Sequence, residues 1–232
     1  MRGANRPGDN GISSRPEAAP DTQPAPRKPG RPTSDASRPQ PHSDFLVYDI
    51  LGHKYSLPLI EGNSETKERI LIFATVMFAT KGYAAASIRD IARANGVKPS
   101  SLYNHFASKE ALWAAALDHL QKLYLLYFEK LDQAISQAGT FEEVLAIFLY
   151  EPKRMFNNFT TYGYSLILRE QINDPLAAET HSAMFNYGIR FIHEKFSDCV
   201  AKGWVQPFDT QMAATLIMNS VYMGFLNKVQ EY

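Results

Sequence analysis

Between residues 86 and 109 the chain gathers short hydrogen-bonding side chains and spaced cations. The set is Ser87, Lys98, Ser100, Ser101, Tyr103, Asn104, His105 and Lys109. Such groups suit the reading of base edges and phosphates better than they suit the making of bonds. Asn104 is the best single candidate for a base edge, because its amide both donates and accepts. Tyr103, His105, Lys109 and Lys98 are better suited to phosphate oxygens. Ser87 offers a hydroxyl and neighbouring backbone N–H groups to another phosphate.

These residues need a scaffold that leaves their polar atoms free. Ser87 with Asp90 three residues on reads as an N-cap pair opening a short helix, with Ile88, Ile91 and Ala92 on one face. Asn95-Gly96 gives a sharp exit, and Pro99 suits the first turn of a second helix. Two helices across so short a turn make a helix-turn-helix, and small Ala92 permits their close approach. In the second helix Leu102 and Phe106 share the inner face. At about 100° per residue, Ser100 and Asn104 then point almost oppositely, flanked by Ser101 and Tyr103. A low, polar outer face is what entry to a major groove requires. Ahead of this unit a helix is expected over about 66–81, with Ile70, Phe73, Ala74, Met77 and Phe78 as its apolar stripe and Gly82 as its stop.

In order and spacing, this stretch resembles the tetracycline-repressor (TetR) family. The match covers about residues 66–112: Phe78-Ala79-Thr80-Lys81-Gly82-Tyr83, Ser87-Ile88-Arg89-Asp90-Ile91-Ala92, Gly96-Val97, Ser101-Leu102-Tyr103-Asn104-His105-Phe106 and Ser108-Lys109-Glu110-Ala111-Leu112. Lys98-Pro99 departs from the family pattern, which often has a Ser able to cap the recognition helix. The residues ahead of the first helix also outnumber the usual short arm. The resemblance implies a homodimer whose recognition helices read a roughly palindromic operator on double-stranded DNA. It also implies a ligand-responsive helical domain behind the reading head. Function on this reading is transcriptional regulation, as a repressor that releases its operator when a small molecule binds. The alternative is a ligand-binding or adaptor protein of the same fold without specific DNA binding.

Residues 114–232 read as helical throughout. Ser108 opens a helix over about 109–136, and Thr140-Phe141-Glu142-Glu143 opens one to about 157. A shorter helix covers about 161–172, Asp174-Pro175 starts a long one to about Lys202, and Asp209 starts a last one that runs to Tyr232. Aromatic residues and Met recur along them. Such stripes line pockets for apolar or aromatic ligands, and equally they fill cores. Tyr124, Phe128, Phe148, Tyr164 and Phe185 are the candidate pocket residues, with Arg169 and His181 able to meet a polar or anionic ligand group; the alternative for each of these two is a solvated helix face. The resemblance places dimerisation on the last two long helices, where Ala213, Ala214, Met218, Val221 and Met223-Gly224 suit a close interface.

The expected fold class is therefore all-α. A disordered Pro/Arg-rich tail covers 1–43, an apolar arm or small hairpin 44–63, a three-helix DNA-binding domain 64–113, and a ligand-binding and dimerisation domain 114–232. The tail is too poor in apolar residues to fold. Its Arg27-Lys28-Pro29-Gly30-Arg31-Pro32 resembles an AT-hook for the minor groove; the alternative is a solvated tail with incidental Arg. In the next segment Pro58 argues for an edge position. Net charge is zero overall but graded, at +3 over 1–43, −1 over 44–60, +2 over 61–113 and −4 over 114–232. The single cysteine, Cys199, forms no internal disulfide. Neither a secretory leader nor an apolar run of bilayer length is evident, so a cytoplasmic setting is expected, with no membrane partner. No HExxH, P-loop, GxGxxG, GxSxG or CxxC pattern occurs, so no enzyme, cofactor, metal or catalytic residue is expected.

Overall fold

The computed structural model describes residues 45–50, 53–58, 60–155 and 158–229. The tail at 1–43, with its AT-hook-like stretch, lies outside them, as does the end of the last helix beyond Val229. The apolar arm is a hairpin. Strand β1 (Phe45–Ile50) pairs antiparallel with β2 (His53–Pro58), in a register running from Phe45 opposite Pro58 to Ile50 opposite His53. With two strands both are edges, so Pro58 costs no ladder bond that a central strand would need. Buried Leu57 joins the main core, and β1 lies on the first helix.

Eight helices follow among the described residues, most with a readable cap. Helix α1 (Glu65–Lys81) starts at Ser64, whose hydroxyl accepts from the Lys67 N–H, and ends where Gly82 takes φ +84 and donates to the Phe78 carbonyl. It is not the amphipathic surface helix expected. Every residue from Ile70 to Ala79 is buried, because three of the helices that follow pack on it. Helix α2 (Ile88–Ala94) is capped by Ser87, and Gly96 at φ +67 turns the chain into α3 (Pro99–Tyr103). Helix α4 (Lys109–Ser136) keeps the expected bounds, with Ser108 accepting from the Ala111 N–H. Helix α5 (Phe141–Met155) opens at Thr140, which accepts from the Glu143 N–H. Helix α6 (Asn158–Glu170) begins earlier than expected. Helix α7 (Pro175–Ala201) is capped by Asp174, and α8 (Thr210–Val229) by Asp209.

One core cluster joins α1, α2 and α3 to the start of α4 and to Phe159, Leu166 and Ile167 of α6. A second lies among α4, α5, α7 and α8. The two-helix unit therefore does not hang from a hinge loop. It is welded by apolar packing to the helices behind it, and two polar links reinforce the weld. Buried His119 of α4 meets buried Glu68 of α1, Nε2 to Oε1 at 2.5 Å, and Asn63 Nδ2 donates to the other carboxylate oxygen at 2.8 Å. At the far end of α1, Arg169 of α6 donates to the Phe78 carbonyl at 2.7 Å and to the Ala79 carbonyl at 2.9 Å. The Phe78 carbonyl already accepts from Gly82, so Arg169 adds a second bond there and supplies the Ala79 carbonyl, one of those a helix end leaves unpaired. Glu170 completes that joint by accepting the Tyr83 N–H at 3.2 Å. Trp113 packs beside it against Phe78 and Tyr83, and its Nε1–H donates to Asp174 at 3.2 Å.

Among the described residues no helix is long and apolar enough to cross a membrane.

Candidate nucleic-acid interface

The presumed reading face is built on a very short helix. Lys98 precedes Pro99 with no side-chain cap bond, so proline's fixed φ supplies the start that a Ser would otherwise give. Leu102 and Phe106 are buried beneath it and hold the helix to α2, closed by bonds from Ser101 N–H to Lys98 and from Phe106 N–H to Leu102. The helix ends at Tyr103, two residues sooner than a helix through His105 requires. Asn104 keeps αR geometry as its C-cap, and its N–H still bonds to the Ser100 carbonyl at 3.3 Å. The chain leaves early because buried Phe106 must be followed at once by Ser108, the cap of α4.

Lys98, Ser100, Tyr103, Asn104 and His105 stand exposed together along this turn, Tyr103 at 54%. Ser101 is half-buried. Ser87 is exposed at the start of α2, but its hydroxyl is engaged twice. It donates to Asp90 Oδ2 at 2.8 Å and accepts from the Asp90 N–H at 3.1 Å. That hydroxyl holds the Asp90 carboxyl below its usual range, aided by Lys81 and Arg93 at 3.6 and 3.3 Å. Half-buried Lys109 donates to the Ala84 carbonyl at 3.1 Å and lies 4.5 Å over the Tyr83 ring, so it braces the loop ahead of α2. Sequence reasoning passed over Arg89 and Arg93, which are exposed on α2. Two arginines four apart outside the Ile88–Ile91–Ala92 face were the signal.

Behind this unit the aromatic candidates divide. Tyr124, Phe128, Phe148 and Tyr164 line one cavity of about 40 Å³ among α4 to α8, shared with Met218 and Tyr222. Tyr124 and Tyr164 also wall a second of about 60 Å³, with Met184 and Ile167. Burial raises both hydroxyls above the ordinary tyrosine value, so they remain neutral donors. Phe185 lines neither cavity; it stacks on His181 at 5.8 Å. Arg169 is likewise placed elsewhere, with its guanidinium spent on the α1 carbonyls. Of the residues expected to face a partner on α8, Ala214 and Met218 turn inward and are buried, because α7 packs there. The outward apolar residues are Met212, Leu216 and Met223.

His181 sits among Tyr164, Phe185 and Tyr222, with Nε2 buried and unpartnered. Burial lowers its pKa from the ordinary 6.5. As pH falls below that value, the unfolded chain takes up the proton first, so stability is lost on the acid side and unaffected above it. His181→Gln is expected to flatten the fall in the urea midpoint between about pH 6.5 and 5 relative to wild type. Parallel pH profiles for the two proteins would count against this assignment.

Comparison with known proteins matches residues 70–116 to the family model described as bacterial regulatory proteins, tetR family. The chain is 25% identical over 162 residues to the Escherichia coli HTH-type transcriptional regulator UidR, covering 68% of this chain and 78% of that one. It is 41% identical over 71 residues to the Mycolicibacterium smegmatis HTH-type transcriptional repressor KstR2, covering 30% and 35%. Among solved structures, Salmonella enterica GusR aligns with a TM-score of 0.58 at 26% identity, over 72% of this chain and 84% of that one. Bacillus subtilis FadR in complex with stearoyl-CoA aligns at 0.54 with 16% identity, over 71% and 89%.

Proposed function

The chain belongs to the TetR family of bacterial transcriptional regulators, and from that premise we propose that it is a cytoplasmic homodimeric repressor reading a palindromic operator through α3. The observation that carries this is the exposed polar turn from Lys98 to His105, standing on buried Leu102 and Phe106. Asn104 meets a base edge; Ser100 and Ser101 approach the groove floor; Tyr103, His105, Lys98 and Lys109 meet phosphates, with Arg89 and Arg93 beside them. Ser87 contributes through the backbone at the start of α2, since its hydroxyl already serves Asp90. We take 64–113 as the reading head and 114–232 as the regulatory part. The two share helix α4 and one apolar core.

The second copy docks on the outward stripe of α8, at Met212, Leu216 and Met223, together with α7. A small molecule binds in the aromatic interior and selects the state in which the two reading heads fit DNA poorly. It acts only by its differential affinity for the two states. Two routes support the coupling. One is α4, through the His119–Glu68 contact; the other is α6, whose Tyr164 walls the cavities and whose Arg169 and Glu170 hold the end of α1.

The test begins with selection of bound sites from random DNA, followed by a binding series in salt. A DNA reader shows a steep fall in affinity with salt and a preferred sequence. Asn104→Ala is expected to relax preference at one base pair, at a cost of about 1–3 kcal/mol on the best site. Lys98→Ala is expected to weaken all sequences alike and reduce the salt slope by about one, whereas Lys109→Ala would also release the loop that Lys109 braces. Salt-insensitive binding without a preferred sequence would favour an adaptor of the same fold.

A further inference from the structure

The two inner cavities are too small for any effector as they stand, since volumes of about 40 and 60 Å³ suit a few waters. Among the described residues no Asp, Glu, Lys, Arg or His lines either of them. A charge placed there would be desolvated without an opposite partner, so the part of a ligand that enters is uncharged. Outside them lies a cleft of about 450 Å³ between α4 and α7, lined by Gln121, Tyr124, Leu125, Met184, Asn186 and Arg190 among others. Tyr124 walls the cleft and both cavities, and Met184 walls the cleft and the second cavity. These two side chains are the partition between inside and outside.

The partition is built to give. A methyl group on Gly188 of α7 would lie 2.8 Å from the Tyr124 hydroxyl and 2.7 Å from the end of Met218. Glycine there lets the Tyr124 hydroxyl and the Met218 tip lie directly on the α7 backbone, and the thioether side chains of Met184 and Met218 beside the ring repack at little cost. In the cleft the cation is Arg190. It is exposed, lies 5.6 Å from the Tyr187 ring, and has no ion pair among the described residues. Among the described residues no carboxylate lines the cleft, and Gln121 and Asn186 bring amide donors beside the guanidinium.

We infer that the effector is a monoanionic amphiphile, whose apolar body displaces Tyr124 and Met184 to enter the aromatic cavities while its oxyacid head stays in the α4–α7 cleft against Arg190. This rests on the ligand-responsive reading above and names the chemistry of that site. A planar guanidinium with flanking amides suits a carboxylate head, and the uncharged interior selects the body.

Calorimetry on the full chain tests it, with octanoate, 1-octanol and octylammonium as probes below their micellar concentrations. Octanoate is expected to bind at least tenfold more tightly than octanol, and octylammonium the most weakly. Arg190→Gln, an exposed and structurally mild change, brings octanoate to the level of octanol and leaves octanol unaltered. Gly188→Ala pushes the two tips inward and weakens acid and alcohol alike, while circular dichroism reports that the helices persist. Equal affinity for acid and alcohol in the wild type, survival of the preference in Arg190→Gln, or no binding of any probe overturns the inference. Operator affinity measured with and without octanoate separates the two readings. Tight octanoate binding that leaves operator affinity unchanged removes the regulatory coupling and keeps the site, whereas loss of the acid preference removes the site and keeps the DNA reader.

Discussion

Ser100→Glu is expected to raise the Kd for a selected operator at least about a hundredfold while changing fold stability by less than about 0.5 kcal/mol. Ser100 is exposed in the first turn of α3, and its side chain makes no contact that the core needs. The free protein therefore tolerates a longer side chain. In the complex the new carboxylate faces phosphates on both sides of the groove and acceptor atoms on most base edges. A like-charge juxtaposition costs several kcal/mol, and about 2.8 kcal/mol already makes a hundredfold. Fluorescence anisotropy at fixed salt reads the affinity, and a urea melt reads the stability. A variant that bound operator within threefold of wild type would show that α3 does not enter the groove.

Glu68→Ala is expected to be the most damaging single truncation for stability, at about 3–5 kcal/mol. Both Glu68 and His119 are buried, with one carboxylate oxygen bonded to the His119 ring Nε2 and the other accepting from Asn63. Removing the carboxylate leaves the buried imidazole nitrogen without that partner and opens a void where α1 crosses α4. For a chain of this size each kcal/mol moves the Tm by roughly 2–4 °C, so the drop is easily seen in a thermal scan. The double variant Glu68→Leu with His119→Leu is expected to recover much of the loss, because buried pairs are costly to break and cheap to replace together. If Glu68→Ala melted within a degree of wild type, or the double variant were worse than either single change, the pair would not be holding the crossing.

Most helix starts were legible because each is marked by one small side chain that bonds its own neighbours. Ser87, Ser108, Asp174 and Asp209 all cap as expected. The bounds of α4 were readable for the same reason. Helix α6 was read late, as 161–172, although the sequence offers an Asn pair at 157–158, a residue type that favours helix starts. It also closes sooner, where Asp174 turns its N–H back to the Glu170 carbonyl at 2.9 Å to begin the next cap. Partners far apart in sequence were not legible at all. Nothing near Glu68 in the sequence marks it as buried, and only the approach of His119, 51 residues on, explains its burial. Arg169 looked like a ligand contact because nothing local shows that the α1 carbonyls, about 90 residues earlier, come to meet it. The polar side of α3 was legible because it depends on helical period alone. Which aromatics face the cavities, and which merely stack as Phe185 does, depends on crossings that no single helix encodes.

The joint at the end of α6 sets a rule for how this protein tolerates insertions and deletions. Tyr164 and Arg169 lie on one rigid rod, so their separation, about 7.5 Å along the axis, is a fixed gauge. One extra residue between them would swing the guanidinium through about 100°, away from the Phe78 carbonyl and from the Ala79 carbonyl that it supplies. Length changes are therefore confined to the stretches between helices, such as the one joining α4 to α5. The five-residue ruler from cavity wall to reading head must be kept intact, whatever side chains decorate it.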